Sequence, residues 1–205
     1  MIWLLIFALS YLIGSIPSGY LVARSKGIDI SRRGSSNIGA ANVARVIGKK
    51  WGYLVGFCDF LKGFLATELG LLIASHFRLS SVLGSVIAAI ASILGHNYTV
   101  WLGFKGGKGI ATSGGAVLAL FPPLVFASAG LVWIGVFFTS RYTSLASISS
   151  AVALPIAVLL IGGKTGTDFL LLVGFSVLMT TLAIWRHRAN IVRLLNGTEN
   201  RFGKK

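Results

Sequence analysis

Residues 3–23 read WLLIFALSYLIGSIPSGYLVA, 21 positions without a charged side chain. A helix needs about 20 mostly apolar residues to cross the ~30 Å hydrocarbon core of a bilayer. This stretch therefore predicts a membrane span. No basic segment precedes it, and the polar Gly14-Ser15-Ile16-Pro17-Ser18-Gly19 stands where a cleavage motif would be, so a retained helix is expected instead of a signal peptide. Comparable runs follow at Trp51–Ser75, Leu79–Trp101, Ile110–Phe121, Pro123–Ser140, Ser144–Gly162 and Asp168–Trp185. The run at Ile110–Phe121 reaches only roughly 18 Å as a helix. It either continues through the Pro122–Pro123 corner or is re-entrant. The expectation is an all-α polytopic bundle of about seven spans, with five or six as alternatives, forming one domain over residues 1–205.

The rest of the chain supports that class. Of 205 residues, 55% are hydrophobic and 12% charged, and mean hydropathy is +0.82. A soluble domain carries roughly 25% charged residues. Disorder and a disulfide scaffold are both excluded, because the chain is apolar and holds a single cysteine, Cys58. The charge is lopsided, with 19 Lys+Arg against 5 Asp+Glu for a net +14. A basic chain raises nucleic acid as a partner, but here there is little soluble surface to hold a duplex. Two causes fit better: orientation by the positive-inside rule and an anionic substrate.

Placing each base tests the first cause. Seven spans put the termini on opposite sides. One face then holds Arg24, Lys26, Arg32, Arg33, Arg45, Lys49, Lys50, Lys105, Lys108, Arg141, Arg186, Arg188, Arg193, Arg201, Lys204 and Lys205. The other holds Arg78 and Lys164, and Lys62 lies within a span. The bias places the N-terminus outside and the C-terminus in the cytoplasm.

Three polar stretches share the predicted cytoplasmic face. The first is Gly34-Ser35-Ser36-Asn37-Ile38-Gly39-Ala40-Ala41-Asn42 with Arg45. Small residues let backbone N–H groups approach an anion, and arginine offers a fork for phosphate. The alternative is a flexible turn with orienting arginines. The second runs from Gly95-His96-Asn97-Tyr98 to Phe104-Lys105-Gly106-Gly107-Lys108-Gly109. It is not a P-loop, because Leu102 occupies the first glycine position and Gly109 follows Lys108. It remains a glycine-lysine loop entering a helix N-terminus, suited to an anion without implying a nucleotide. The third is Arg141-Tyr142-Thr143-Ser144-Leu145-Ala146-Ser147, whose serines also suit an ordinary N-cap. In the tail, His187 and Asn190 share a face if the helix continues; the alternative is a basic tail on anionic lipid. Asp59 and Lys62, also i,i+3, read as a structural pair inside a span, with a transport path as the alternative.

Several chemistries are disfavoured. No His-x-x-x-His pair or nearby carboxylate supports a metal. No carboxylate is evident in the sequence to orient His96 or His187. The His-x₄-Asp acyltransferase signature is absent, since Ser81, Trp101 and Val192 stand five residues after the three histidines.

Taken together the motifs resemble the bacterial acyl-phosphate:glycerol-3-phosphate acyltransferase family, integral membrane enzymes of phospholipid synthesis. The matching residues are Gly14–Tyr20, Gly34–Asn42 with Arg45, Asp59-x-x-Lys62-Gly63, Gly95-His96-Asn97, Phe104–Thr112, Tyr142–Ser147 and His187-x-x-Asn190-Ile191-x-Arg193-Leu194 ending in Gly197-x-Glu199. The family often carries Gly at Ser36, Thr at Ala41 and Pro at Thr99. The resemblance implies transfer of a fatty acyl group from acyl phosphate to the 1-hydroxyl of glycerol 3-phosphate. The products would be lysophosphatidic acid and phosphate, made at the cytoplasmic face of the cell inner membrane.

It implies glycerol 3-phosphate, acyl phosphate and membrane lipid as partners, no nucleic acid and no cofactor or metal, with oligomeric state left open, a monomer included. Because the donor is already activated, no nucleophilic serine or cysteine is required, and the protein must position two anions. Ser35, Arg45, Lys105 and Ser144 are expected to hold phosphate, with the backbone of Gly106 and Gly107. Asn37, His187 and Asn190 are expected to orient the glycerol or carbonyl. His96 or His187 is a candidate base, with a substrate phosphate oxygen as the favoured alternative. Ser36, Gly39, Asn42, Asn97, Lys108, Ser147 and Arg193 complete the expected substrate-binding set. A transporter for a phosphorylated metabolite is the competing reading; the absence of a repeat and the clustering of polar motifs at one face argue against it.

Overall fold

The computed structural model describes residues 1–163 and 166–203. Lys164, Lys204 and Lys205, assigned above to faces of the membrane, lie outside the described residues. The described chain is helical, with two 3₁₀ turns at Ile30–Arg32 and Val100–Leu102 and no strand. It divides into two units, Met1–Leu120 and Phe121–Lys205.

In the first unit the opening apolar run forms α1 (Ile2–Ser15) and α2 (Ser18–Arg24), broken at Ile16-Pro17. Proline restricts the residue before it to extended backbone, and Ile16 has φ −54° and ψ 113°. The break frees carbonyls that water cannot reach inside a bilayer, so the protein must satisfy them. Lys62 Nζ donates to Ile16 O at 2.7 Å, and Thr99 Oγ1 donates to Ser15 O at 2.5 Å. After α3 (Ala40–Val46) comes α4 (Lys49–His76), whose 28 residues extend about 42 Å. The unit closes with α5 (Ser81–Asn97) and α6 (Ile110–Leu120).

Small residues bring these helices together, as is usual where burial in lipid gives little hydrophobic drive. A Cβ on Gly95 would strike Tyr11 O on α1, and one on Gly63 would strike Thr112 O on α6. Gly70 and Gly84 face each other across α4 and α5.

The second unit contains α7 (Pro123–Ser140), α8 (Thr143–Ile161), α9 (Gly166–Arg186) and the short α10 (Arg188–Leu195). Pro155 lies inside α8 and has no N–H to give the carbonyl of residue 151. Thr180 Oγ1 of α9 donates to Ala151 O at 2.6 Å in its place. Similarly, Ser150 Oγ of α8 donates to Ala129 O of α7 at 2.8 Å. The tail folds back: Phe202 N donates to Arg141 O at 2.8 Å, and the Phe202 ring meets Phe137.

Among the described residues five helical segments are long and apolar enough to cross a membrane: Ile2–Arg24, Ser81–Leu102, Pro123–Ser140, Thr143–Ile161 and Gly166–Arg186. The other two expected spans are helical too, but α4 carries Asp59, Lys62 and Glu68, and α6 has only 11 residues.

Candidate active site

In the first unit, one asparagine builds the loop before α3. Asn42 Nδ2 donates to Arg33 O at 3.0 Å and Asn37 O at 2.8 Å, and its Oδ1 accepts from Ser35 N at 2.9 Å. Asn42 is buried, and its amide is spent on the loop. Asn37 Oδ1 accepts from Gly39 N at 2.8 Å. The result holds Ser35 and Arg45 out on the exposed surface. Ser36 has φ +57°, a left-handed conformation that favours glycine.

The glycine-lysine loop is built around His96. Gly107 N donates to His96 O at 3.0 Å. A Cβ on Gly106 would strike His96 O, and one on Gly107 would strike His96 Nε2. Glycine is required here for close approach. Lys105 is exposed, Lys108 is half-buried, and Gly109, at φ +78°, leads into α6. Asn97 is wholly buried beside Gly109, and neither polar atom of its side chain has a hydrogen-bond partner among the described residues.

His96 has a carboxylate neighbour that sequence reasoning failed to supply. Asp59 Oδ1 lies 3.5 Å from His96 Nδ1 and 2.8 Å from Lys62 Nζ. The expectation that no carboxylate orients either histidine is therefore corrected. Asp59 is 37 residues from His96 in the chain, and only packing of α4 on α5 brings them together. All three side chains are buried.

In the second unit Glu199 is the hub. Its Oε1 accepts from Ser144 Oγ at 2.8 Å and Asn190 Nδ2 at 2.7 Å, and its Oε2 accepts from Arg193 Nε at 2.7 Å. Burial pushes the carboxyl up, but the hydrogen bonds from Asn190, Ser144 and Arg193 outweigh it and hold the pKa below its ordinary value. Ser144 makes no N-cap bond; Tyr142 is the cap residue, and the serine sits one position inside the helix turned to Glu199. Ser147 donates to Thr143 O at 2.7 Å and accepts from Trp133 Nε1 at 3.3 Å. His187 interrupts the helix between α9 and α10, with Nδ1 2.8 Å from Ala183 O. A carbonyl can only accept, which assigns the Nδ1–H tautomer to a neutral ring. His187 and Asn190 are both buried, and Asn190 N donates to His187 O at 2.8 Å. Sequence reasoning quoted Glu199 only as the end of a motif. The signal for its role was that it is the only carboxylate in the basic tail.

These features define a class: a helical integral membrane protein whose basic, glycine-rich motifs lie at helix ends and in the loops between them. Comparison with known proteins names the family within that class. A family profile described as glycerol-3-phosphate acyltransferase matches residues 4–197. The glycerol-3-phosphate acyltransferase of Aquifex aeolicus is 44% identical, over 98% of both chains. That of Desulforudis audaxviator is 45% identical, over 97% of this chain and 95% of its own. The crystal structure of PlsY, an integral membrane glycerol 3-phosphate acyltransferase, in its glycerol 3-phosphate form matches with TM-score 0.87 at 40% identity, covering 98% of this chain and 96% of that one. The lysophosphatidic acid form matches with TM-score 0.85 at 41% identity, covering 98% and 95%. The chain belongs to the glycerol-3-phosphate acyltransferase family, enzymes of phospholipid synthesis.

Proposed function

We propose that this chain, acting as a single acyltransferase domain, moves a fatty acyl group from acyl phosphate to the 1-hydroxyl of glycerol 3-phosphate. The hydroxyl oxygen bonds to the acyl carbon, the bond from that carbon to the phosphate oxygen breaks, and lysophosphatidic acid and inorganic phosphate result. The observation that carries this reading is the nearly full-length likeness to a protein solved in both a glycerol 3-phosphate and a lysophosphatidic acid form. The local chemistry supports it. An acyl phosphate needs no covalent relay through the protein, so placing two anions and stabilising the oxyanion and leaving phosphate suffices.

In the first unit Ser35, Arg45 and Lys105 hold phosphate with the Gly106 and Gly107 backbone, and Asn37 orients the acceptor. Ser36, Gly39, Asn42, Asn97 and Lys108 shape that surface. In the second unit Ser144 holds phosphate when its hydroxyl turns from Glu199 to the anion, His187 and Asn190 orient the glycerol or carbonyl, and Ser147 and Arg193 support them. The proton passes to a phosphate oxygen of the donor. Seven crossings, with α4 and α6 as the two less apolar ones, place the N-terminus outside and the basic loops and C-terminus in the cytoplasm.

The test is purified protein in detergent with acyl phosphate and glycerol 3-phosphate. Phosphate release that requires both substrates is expected; release independent of glycerol 3-phosphate, or none, refutes the reading. Arg45→Ala and Lys105→Ala should each lower kcat/KM strongly in protein that remains folded. Near-normal values for both overturn the phosphate assignment. Single-cysteine variants at Arg78 and Lys105 in a Cys58→Ala background, probed with an impermeant maleimide on sealed cells, should label at position 78 only.

A further inference from the structure

Asp59 is the one buried carboxylate on α4, and the roles assigned above leave it unused. A charged side chain in a membrane helix is costly and marks a task. Lys62 already has two: it neutralises Asp59 and closes the broken α1 at Ile16 O. A lysine satisfying a freed carbonyl does not by itself need a carboxylate aimed at a histidine. The geometry around His96 gives the carboxylate its role. Asp59 Oδ1 stands at the Nδ1 edge of the ring. Gly107 lies against the Nε2 edge, where it has no room for a side chain. The backbone of the same histidine accepts from Gly107 N. The imidazole is thus wedged between a fixed carboxylate and the loop, and the α4 carboxylate sets where the loop begins.

We infer that Asp59 is a positioning residue, acting through His96 to hold the Lys105–Lys108 loop in its working shape, with Lys62 as its charge partner. The inference rests on the reading of that loop as phosphate-holding. A misplacement of about 1 Å at such a loop costs on the order of 100-fold in rate.

The test uses purified full-length protein and five variants: Asp59→Asn, Lys62→Met, His96→Ala, Asp59→Asn/Lys62→Met and Asp59→Asn/His96→Ala. The Asp59/Lys62 double variant removes both buried charges and so strands no lysine, while Lys62→Met alone reports separately what loss of the donor to Ile16 O does. Two measurements are made: amide hydrogen exchange over residues 104–108, and KM with kcat for each substrate. In the folded Asp59/Lys62 double variant, exchange of the loop should quicken about tenfold while the rest of α5 and α6 is unchanged. KM for a phosphorylated substrate should rise roughly 10- to 100-fold with a smaller change in kcat. In the His96→Ala background, Asp59→Asn should add little, because both act through one ring. Unchanged loop exchange in the folded double variant overturns the inference. So does full activity in the double variant after loss in Asp59→Asn, which would make the pair a matter of folding alone. Faster loop exchange with both KM values unchanged supports the positioning role and refutes the phosphate-holding reading of the loop.

Discussion

Replacing Glu199 by Ala and by Gln should separate two contributions that the structure assigns to different oxygens. Oε1 receives Ser144 and Asn190, whose residues are only 3% and 6% exposed. Oε2 receives Arg193, whose side chain is 36% exposed. A hydrogen bond to a charged group contributes about 1.5–3 kcal/mol, so the two buried donors together amount to roughly 3–6 kcal/mol. The more exposed ion pair adds at most about 1 kcal/mol. The donors share one oxygen and are not additive, which places Glu199→Ala near ~4 kcal/mol of destabilisation.

Glutamine retains a carbonyl that accepts from both buried donors, at about half the strength of a carboxylate; Glu199→Gln should therefore lose about half as much. At roughly 2–4 °C per kcal/mol for a chain of this length, the expected falls in Tm are on the order of 10 °C for Ala and 5 °C for Gln. Thermal unfolding in one detergent, followed by tryptophan fluorescence, reads both. The acid side gives a second check. Because the folded-state pKa lies below its ordinary value, the wild-type carboxylate stabilises above about pH 4.3. That stabilisation fades as pH falls through the folded pKa, and Glu199→Gln should lack that fade. Equal Tm values for Ala and Gln, or an Ala variant within 2 °C of wild type, would refute the assignment of the two buried donors to one oxygen.

Three further outcomes follow from single contacts. Ser36→Gly should raise stability by about 1 kcal/mol, read as a Tm increase, because the native φ of +57° strains a Cβ-bearing residue. Asn97→Ala should leave Tm unchanged or higher, since the buried amide makes no hydrogen bond among the described residues, while kcat/KM falls; a Tm loss matching a buried hydrogen bond, about 1 kcal/mol, would make the side chain structural. Thr180→Val should cost roughly 1 kcal/mol in the native chain and little in a Pro155→Ala background, where residue 155 regains its N–H for Ala151 O; equal costs in a double-mutant cycle would refute the substitution of one donor for another.

How far such contacts are legible in the sequence depends on the range over which they act. The spans are legible because hydropathy is summed locally: the expected runs at Pro123–Ser140 and Ser144–Gly162 fall within a residue or so of α7 and α8. The glycine-lysine loop is legible as an unusual composition, and the structure supplies its reason, since Gly106 and Gly107 make room for His96. The break at Ile16 is visible only as a polar interruption of an apolar run. Its partners, Lys62 and Thr99, come from far along the chain, and no periodicity carries that information.

Asp59 and Glu199 are hard to judge from sequence for the same physical reason. Weighed against its neighbours in the chain, Asp59 has a lysine at i+3 and Glu199 stands in a basic tail. A buried carboxylate is defined by its donors, and in an environment without water every donor must come from the protein. For Asp59 the second neighbour arrives by packing of α5, and for Glu199 the tail folds back until it meets Ser144. The chain has 5 acidic residues, and two of them are surrounded in this way. In a protein this short of carboxylates, an acidic residue inside an apolar or basic stretch is better treated as an unassigned acceptor than as half of a local pair. That rule directs attention to His96 from Asp59 and to Ser144 and Asn190 from Glu199. It does not choose among the serines, because Ser144 and Ser147 look alike in sequence and differ only in which side of α8 the tail approaches.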